Sequence, residues 1–312
     1  MEVELINHFK NTNMRVMLAT IFNRLPHIHY DIEVLMPIRG SVCMETTSEK
    51  YVIKKDEIFL LSQDEIHSGS QTGEPNLFAV LEVSPNFCKS FYPQLANIHI
   101  LENHVTKRSN PQLYSCLRRA IHQMVICCSA PKVGSELRIN SELCNFALGI
   151  LQYSCYKEYT ESEMSALLHD NIRISRIIEY IKENYMHNIS LTSLAKEEKI
   201  NPSYLSRFIS EQLGITFREY VNRLRAEKAA ELLANSNMSK LEICVATGFS
   251  DYRYLNQEIQ KAFGCYPEDL RSEKSNSFFI PSGRKSDITP QHRIMDISEA
   301  SNILLQYFKE NN

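Results

Sequence analysis

Residues 201–214 read Asn-Pro-Ser-Tyr-Leu-Ser-Arg-Phe-Ile-Ser-Glu-Gln-Leu-Gly, and residues 251–264 read Asp-Tyr-Arg-Tyr-Leu-Asn-Gln-Glu-Ile-Gln-Lys-Ala-Phe-Gly. Laid side by side, Tyr204 matches Tyr254, Leu205 matches Leu255, Ile209 matches Ile259, Leu213 matches Phe263 and Gly214 matches Gly264. A constant offset of about 50 residues marks a duplicated helical unit. Upstream, Leu194-Ala195 leads into the first unit and Ile243-Cys244 into the second. Each is a large apolar residue followed by a small one, as two closely approaching helices require.

The flanking residues predict helix, tight turn, helix, twice. Ser190 caps a helix carrying Leu191, Leu194 and Ala195, and the turn falls at Lys199-Ile200. Asn201 then caps the next helix, with Pro202 at its first position, where a missing N–H costs nothing. Leu205, Phe208, Ile209 and Leu213 recur at helical spacing, and Gly214 suits the left-handed residue that ends a helix. In the second unit Ser239-Lys240-Leu241-Glu242 reads as a capping box. Gly248-Phe249 makes the turn, and Ser250 is expected to cap the helix that buries Leu255, Ile259 and Phe263. Between the units a long helix opens at the capping box Thr216-Phe217-Arg218-Glu219 and carries Phe217, Tyr220, Val221, Leu224 and Leu232, so it fixes their separation.

The segment Asn171 to Arg271 resembles the DNA-binding domain of the AraC/XylS family of bacterial transcription regulators. The specific part is Ile243-Cys-Val-Ala-Thr-Gly-Phe-Ser-Asp-Tyr-Arg-Tyr-Leu255 with Lys261-Ala-Phe-Gly-Cys-Tyr-Pro267. Cys244 stands where the family usually has Ala, and Ile209, Leu255 and Ile259 where it has Phe. All four are apolar, so the changes concern packing. The resemblance implies that the N-terminal parts of the two recognition helices meet base edges. The residues left outward there are Ser203, Ser206 and Arg207 in the first unit, and Asp251, Tyr252, Arg253, Asn256 and Gln257 in the second. Arginine can grip guanine O6 and N7, and Asn or Gln suits adenine. Tyr204 and Tyr254 read as packing residues. Glu197, Glu198, Glu227, Glu231 and Glu242 are expected to face solvent, and Arg173, Arg176, Lys182, Arg207, Arg218, Arg223, Arg253 and Lys261 to face phosphates.

The N-terminal third reads differently. Strand-like runs at Ile32–Ile38, Ser41–Thr46, Tyr51–Ile53, Ile58–Ser62 and Leu77–Val83 are separated by turn-like breaks, which predicts a β-barrel or double-sheet jelly roll. Within it His27-x-His29-x-x-x-Glu33, followed by Gly40, Asp56 and His67, resembles the cupin barrel that serves as sensor domain in this family. That order of imidazoles and carboxylate could hold a divalent metal. The usual Pro-x-Gly of the second cupin motif is here Ser62-Gln63-Asp64, however. The expectation is therefore no bound metal and no cofactor, with His27, His29, Glu33 and His67 lining a pocket for a small organic effector. A sugar is the effector class that the resemblance implies most often.

Two amphipathic stretches follow, near Asn110–Cys128 (Leu113, Leu117, Ile121, Met124) and Gly134–Tyr159 (Leu137, Leu143, Phe146, Ala147, Ile150, Leu151). The resemblance makes them a dimerisation region, although they could equally complete the sensor core. Polar residues 160–170 read as an interdomain linker. Past Lys274, a Ser/Lys/Pro/Gly-rich connector leads to an amphipathic stretch at Ile294–Phe308 that nothing in the resemblance explains. The expected fold is thus multi-domain α+β: a cupin-like effector-sensing barrel at 1–95, a helical dimerisation region at 96–160, an all-α double helix-turn-helix domain at 171–274, and a connector with a C-terminal helix at 275–312.

Composition limits the alternatives. With 312 residues, 43% apolar and 23% charged, the chain is long enough for two cores. It lacks an apolar run of membrane-spanning length and a basic signal-peptide start, so a cytoplasmic protein without membrane contact is expected. Nine scattered cysteines form no C-x-x-C pair, which argues against a disulfide framework or a zinc site. The vicinal Cys127-Cys128 is the one arrangement suited to a redox switch. Net charge is −3, and 171–274 holds 15 Lys and Arg against 14 Asp and Glu, so charge alone does not advertise DNA binding. Neither a nucleophile motif nor a phosphate-cradling loop supports catalysis.

The reading is a non-enzymatic, sequence-specific transcription regulator, an activator by family analogy. It is expected to bind double-stranded DNA, a small-molecule effector and RNA polymerase, as a homodimer. The alternative is a metal-dependent cupin enzyme fused to a helical interaction domain.

Overall fold

The computed structural model describes residues 12–271 and 292–311; the expected connector 275–290 lies outside them. Strands β1 (Met14–Ile21), β2 (Asn23–His27), β3 (Ile32–Arg39), β4 (Ser41–Thr46), β5 (Lys50–Lys54), β6 (Ile58–Leu61), β7 (His67–Gln71) and β8 (Leu77–Val83) follow one another through short turns. They build two facing antiparallel sheets. With β9 (Ile98–Ile100), β10 (His104–Val105), β11 (Tyr156–Glu158) and β12 (His292–Asp296) added, the larger sheet has the order β10-β6-β3-β8-β1-β12 and the smaller β2-β7-β4-β5. β9 pairs with β11.

The larger sheet is buried on both faces. Leu35, Phe59, Leu61 and Val80 point between the sheets against Val42, Met44 and Ile53. Their neighbours Val34, Met36, Leu60 and Leu81 point the other way, toward helices α1 (Pro111–Ser129), α2 (Ser135–Tyr153) and α10 (Ile297–Glu310). Double burial is why β6 reads as the unbroken apolar run Ile-Phe-Leu-Leu.

Helices α1 and α2 bury the stripes read from the sequence. Leu113, Leu117, Ile121, Met124, Leu143, Phe146, Ala147 and Ile150 all lie in the core shared with this sheet. Each of the larger of these side chains stabilises the fold by about 1.5–3 kcal/mol. These faces are therefore spent inside the sensor and are not free for dimerisation; on α2, Leu137 (79% exposed), Leu148 (50% exposed) and Tyr153 (45% exposed) are left outside. The C-terminal segment belongs to the same unit. β12 pairs antiparallel with β1, and α10 lays Ala300, Leu304 and Phe308 on α1.

Residues 161–170, read as a linker, are helical. They form the first turns of α3 (Glu161–Asn184), which opens on a capping box in which Thr160 and Glu163 each accept from the other's backbone N–H. Polar composition without Gly or Pro suits an exposed helix as well as a loop, and the cap decides. The C-terminal half of α3 contributes Ile174, Ile177, Ile178 and Ile181 to the first core of the DNA-binding domain.

That domain continues with α4 (Leu191–Glu197), α5 (Pro202–Leu213), α6 (Phe217–Asn235), α7 (Lys240–Thr247), α8 (Tyr252–Phe263) and α9 (Pro267–Arg271). It has two cores joined by α6. Tyr220, Val221 and Leu224 pack with α3, α4 and α5, whereas Ala226, Ala229, Ala230 and Leu233 pack with Ile243, Cys244, Leu255, Ile259 and Phe263. Because both halves of α6 are wrapped, Glu227 is buried rather than facing solvent as its charge alone suggested.

The barrel and the DNA-binding domain touch. Ile28 and Ile66, from loops beside β2 and β7, sit in the first helix-turn-helix core, and Phe22 stacks on Phe263 with ring centroids 5.5 Å apart.

Candidate functional site

The helix-turn-helix caps are formed as the local chemistry dictates. Asn201 accepts from the Ser203 N–H at 2.8 Å, and Lys199 takes the left-handed conformation at φ 56° to make the first turn. In the second unit Asp251, not Ser250, is the cap: its extended backbone (φ −156°, ψ 164°) lets its carboxylate accept from the Tyr254 N–H at 2.8 Å. Gly248 makes the turn at φ 75°, where an added Cβ would meet the Tyr185 and Met186 carbonyl oxygens at 2.8 and 2.7 Å. Only glycine fits both the conformation and the space.

On α5, Ser203, Ser206 and Arg207 are exposed; on α8, Arg253 and Gln257 are exposed and Tyr252 and Asn256 half-buried. The two sets lie on the second helices of the two units, which are tied through one α6. Tyr252 is turned aside: its hydroxyl donates to Glu268 Oε1 at 2.9 Å, and the Lys240 ammonium stands 4.4 Å from its ring centre. Tyr254 packs as expected, its hydroxyl accepting from Asn222 Nδ2 at 2.5 Å.

The cations divide. Arg207, Arg218, Arg253 and Lys261 are exposed. Arg176 donates to Glu198 at 3.0 Å, and Arg173 donates to the Tyr204 hydroxyl at 3.2 Å while lying over the Phe208 ring. These two therefore hold α3 against α4 and α5, and Tyr204, assigned to packing, works as that anchor.

In the barrel the structure brings His27, His29, Glu33 and His67 together. β2 and β7 place His27 opposite His67, and Glu33 projects from β3 into the space between the sheets. His29 Nε2 lies 2.6 Å and His67 Nε2 3.3 Å from Glu33 Oε2. All four residues are no more than 4% exposed. Burial disfavours charge on every one of them, but on His29 the hydrogen bond and charge of Glu33 outweigh it and raise the pKa to about 9. The same contacts overcome burial at Glu33 and hold its carboxyl well below the usual range. Burial leaves His27 and His67 below the ordinary imidazole value.

These four, expected to line a pocket for an organic effector, pack on one another. A cavity of about 210 Å³ does lie beside them, between the barrel and the first helix-turn-helix unit, but of the four only His67 borders it, with Glu45, Lys50, Ile66, Gly214 and Arg223. The turn that lacks Pro-x-Gly is held by other means. Asp64 takes φ 62°, Ser62 Oγ accepts from the Ile100 N–H at 2.6 Å, and Gln63 Nε2 donates to the Ala96 and Ile98 carbonyls.

Residues 20–147 match the AraC-like ligand binding domain and residues 194–273 a helix-turn-helix domain. The chain belongs to the AraC/XylS family. This AraC-family chain is 22% identical over 262 residues to the virulence regulon transcriptional activator VirF of Yersinia enterocolitica, covering 81% of this chain and 93% of that one. It is 26% identical over 122 residues to the transcriptional activator RhaS of Escherichia coli, covering 39% and 41%. Among solved structures, ToxT of Vibrio cholerae aligns over 84% of this chain and 97% of that chain at 15% identity and a TM-score of 0.43. The AraC-family chain is thus a DNA-binding transcription regulator with an N-terminal ligand-binding domain. Among its described residues no helix is long and apolar enough to cross a membrane.

Proposed function

We propose that this regulator activates transcription from promoters it reads through Ser203, Ser206 and Arg207 on α5 and Arg253, Asn256 and Gln257 on α8. The supporting observation is that two capped recognition helices, each with an exposed arginine in its N-terminal half, are joined by α6. Such helices enter successive major grooves about 34 Å apart on one face of the duplex. Tyr252 supports α9 in this reading and does not read a base.

The resident partners are double-stranded DNA and RNA polymerase, the latter by analogy with relatives named as activators. The protein acts in the cytoplasm as a homodimer rather than as an enzyme, and Leu137 and Leu148 on α2 are the apolar residues available to a second copy. The ligand-binding domain supplies the control input, and its contacts with the first helix-turn-helix unit through Ile28 and Ile66 support coupling between the two.

Footprinting of the full chain on promoter DNA from its own chromosomal neighbourhood tests the reading. Two protected half-turns on one face are expected. Protection that is uniform on unrelated DNA would refute sequence-specific reading.

A further inference from the structure

The two helix-turn-helix cores divide α6 between them: Tyr220, Val221 and Leu224 belong to the first, Ala226, Ala229 and Ala230 to the second. At that division stand two polar residues, Asn222 and Arg225, three apart and therefore on one face of the helix. Arg225 donates through Nε to the Tyr185 carbonyl at 2.8 Å and through Nη2 to the His187 carbonyl at 2.9 Å. Both carbonyls lie just past the C-terminal end of α3, where carbonyls lack helical partners and a cation is favoured. The Tyr185 side chain packs against the first core, so this loop belongs to the first unit. The second unit rests on the same loop. A Cβ added at Gly248 would stand 2.8 Å from the Tyr185 oxygen and 2.7 Å from that of Met186, which puts the turn between α7 and α8 against the stretch that Arg225 holds. Asn222 makes the companion contact, donating from Nδ2 to the Tyr254 hydroxyl of α8 at 2.5 Å.

We infer that Arg225 is a positioning residue for DNA reading: by gripping residues 185–187 beside the α7–α8 turn, it fixes the angle between the two recognition helices and with it the half-site spacing that the protein accepts. This role rests on the regulator reading above. A helix by itself is a compliant joint, since long helices bend along their length. On α6 alone, α8 is free to swing relative to α5; a second tie, off the helix axis, stops that motion. The planar guanidinium suits the task, because its fork fixes the directions of both bonds, whereas a lysine ammonium is a point charge on a flexible stem.

Two linked reading modules bind two half-sites more tightly than either module binds one, to the extent that their joint lets both engage at once. A stiff joint gives high affinity at one spacing and a steep loss at others. A loose joint lowers the peak and broadens the range. Releasing Arg225 should therefore exchange affinity for tolerance. Neither a lost phosphate contact nor simple destabilisation does that, because both weaken binding alike at every spacing.

The test uses the full chain on duplexes carrying the two footprinted half-sites at their natural spacing and with two base pairs inserted, a rotation of about 70° and a shift of about 7 Å. The insertion should cost the wild type at least about 10-fold in affinity, and Arg225→Met no more than about 3-fold. At the natural spacing Arg225→Met should bind about 10-fold more weakly than the wild type, yet match it on a duplex with a single half-site. Arg225→Lys keeps the charge without the fork and should follow Arg225→Met; it carries the same test should the Met variant fail to fold by circular dichroism. A folded variant, Met or Lys, that is as sensitive to the insertion as the wild type overturns the clamp, and so does an equal loss on the single half-site. A wild type that protects both half-sites yet ignores the insertion overturns it too. Absence of sequence-specific protection by the wild type would instead sink the regulator reading.

Discussion

Arg207 and Arg253 are both exposed on capped recognition helices but occupy different places: at the 50-residue offset Arg207 matches Gln257 and Arg253 matches Ser203. Replacing either by Ala should cost about 1–3 kcal/mol on the specific site and relax preference at different bases, as read by gel-shift competition against random DNA. Equal losses on specific and random DNA would assign both to phosphate. Single residues are legible wherever local chemistry sets them. Asn201, Thr216, Ser239 and the three helix-ending glycines do what their side chains dictate. The cap falls on Asp251 and not on Ser250 because the carboxylate one position on is the better acceptor. Glu227 escapes a local reading because its burial depends on two cores assembled from distant residues. The four barrel residues stand out by type and do come together, but no linear pattern says whether they enclose a void or touch one another.

At the level of elements, the helix-ending glycines differ in what they tolerate. A Cβ added at Gly214 would meet open space, so Gly214→Ala should cost only the left-handed backbone, about 1–2 kcal/mol. Gly248→Ala adds a collision with two backbone carbonyls and should cost at least about 2 kcal/mol more than the backbone alone. Thermal melts of both variants check the ranking, and equal melting points would show that the α7 turn can relax. The start of α3 should resist acid until low pH. Glu163 is held at about pKa 2 by Lys157 and by the Thr160 N–H and hydroxyl. A lowered folded-state pKa stabilises above the unfolded value and fades as pH falls from about 4.3 toward 2. An NMR titration of the Glu163 carboxyl midpoint near 2 is expected; a midpoint near 4.3 would mean the cap is not formed in solution. Strands β3, β4 and β8 are legible from apolar runs between turns. β7, His-Ser-Gly-Ser-Gln, is not, because its pairing with β2 and β4 and not its composition makes it a strand.

On the scale of the whole molecule, the division into a barrel and a double helical unit follows from repeat and period alone. The contacts between them do not. Ile28 and Ile66 look like ordinary strand-end residues until the fold seats them among the isoleucines of α3. A fragment spanning residues 160–271 keeps both cores and the Thr160 cap, so it should fold and bind DNA. Without Ile28 and Ile66 to cover its first core, it should melt below the full chain. A fragment melting with or above the full chain would show that the barrel contacts contribute nothing.

β1 and β12 are neighbours in one sheet, yet nearly the full length of the chain separates Met17 from its partner Asp296. During synthesis at about 5–20 residues per second, β1 therefore waits on the order of 10–60 s for that partner. Through this interval the double helix-turn-helix unit, built from local contacts, can finish folding, while the barrel presents an unpaired sheet edge and α1 an uncovered apolar face. A nascent chain of this design is able to hold DNA before its sensor is sealed, and its yield should depend on how well chaperones shield one strand edge.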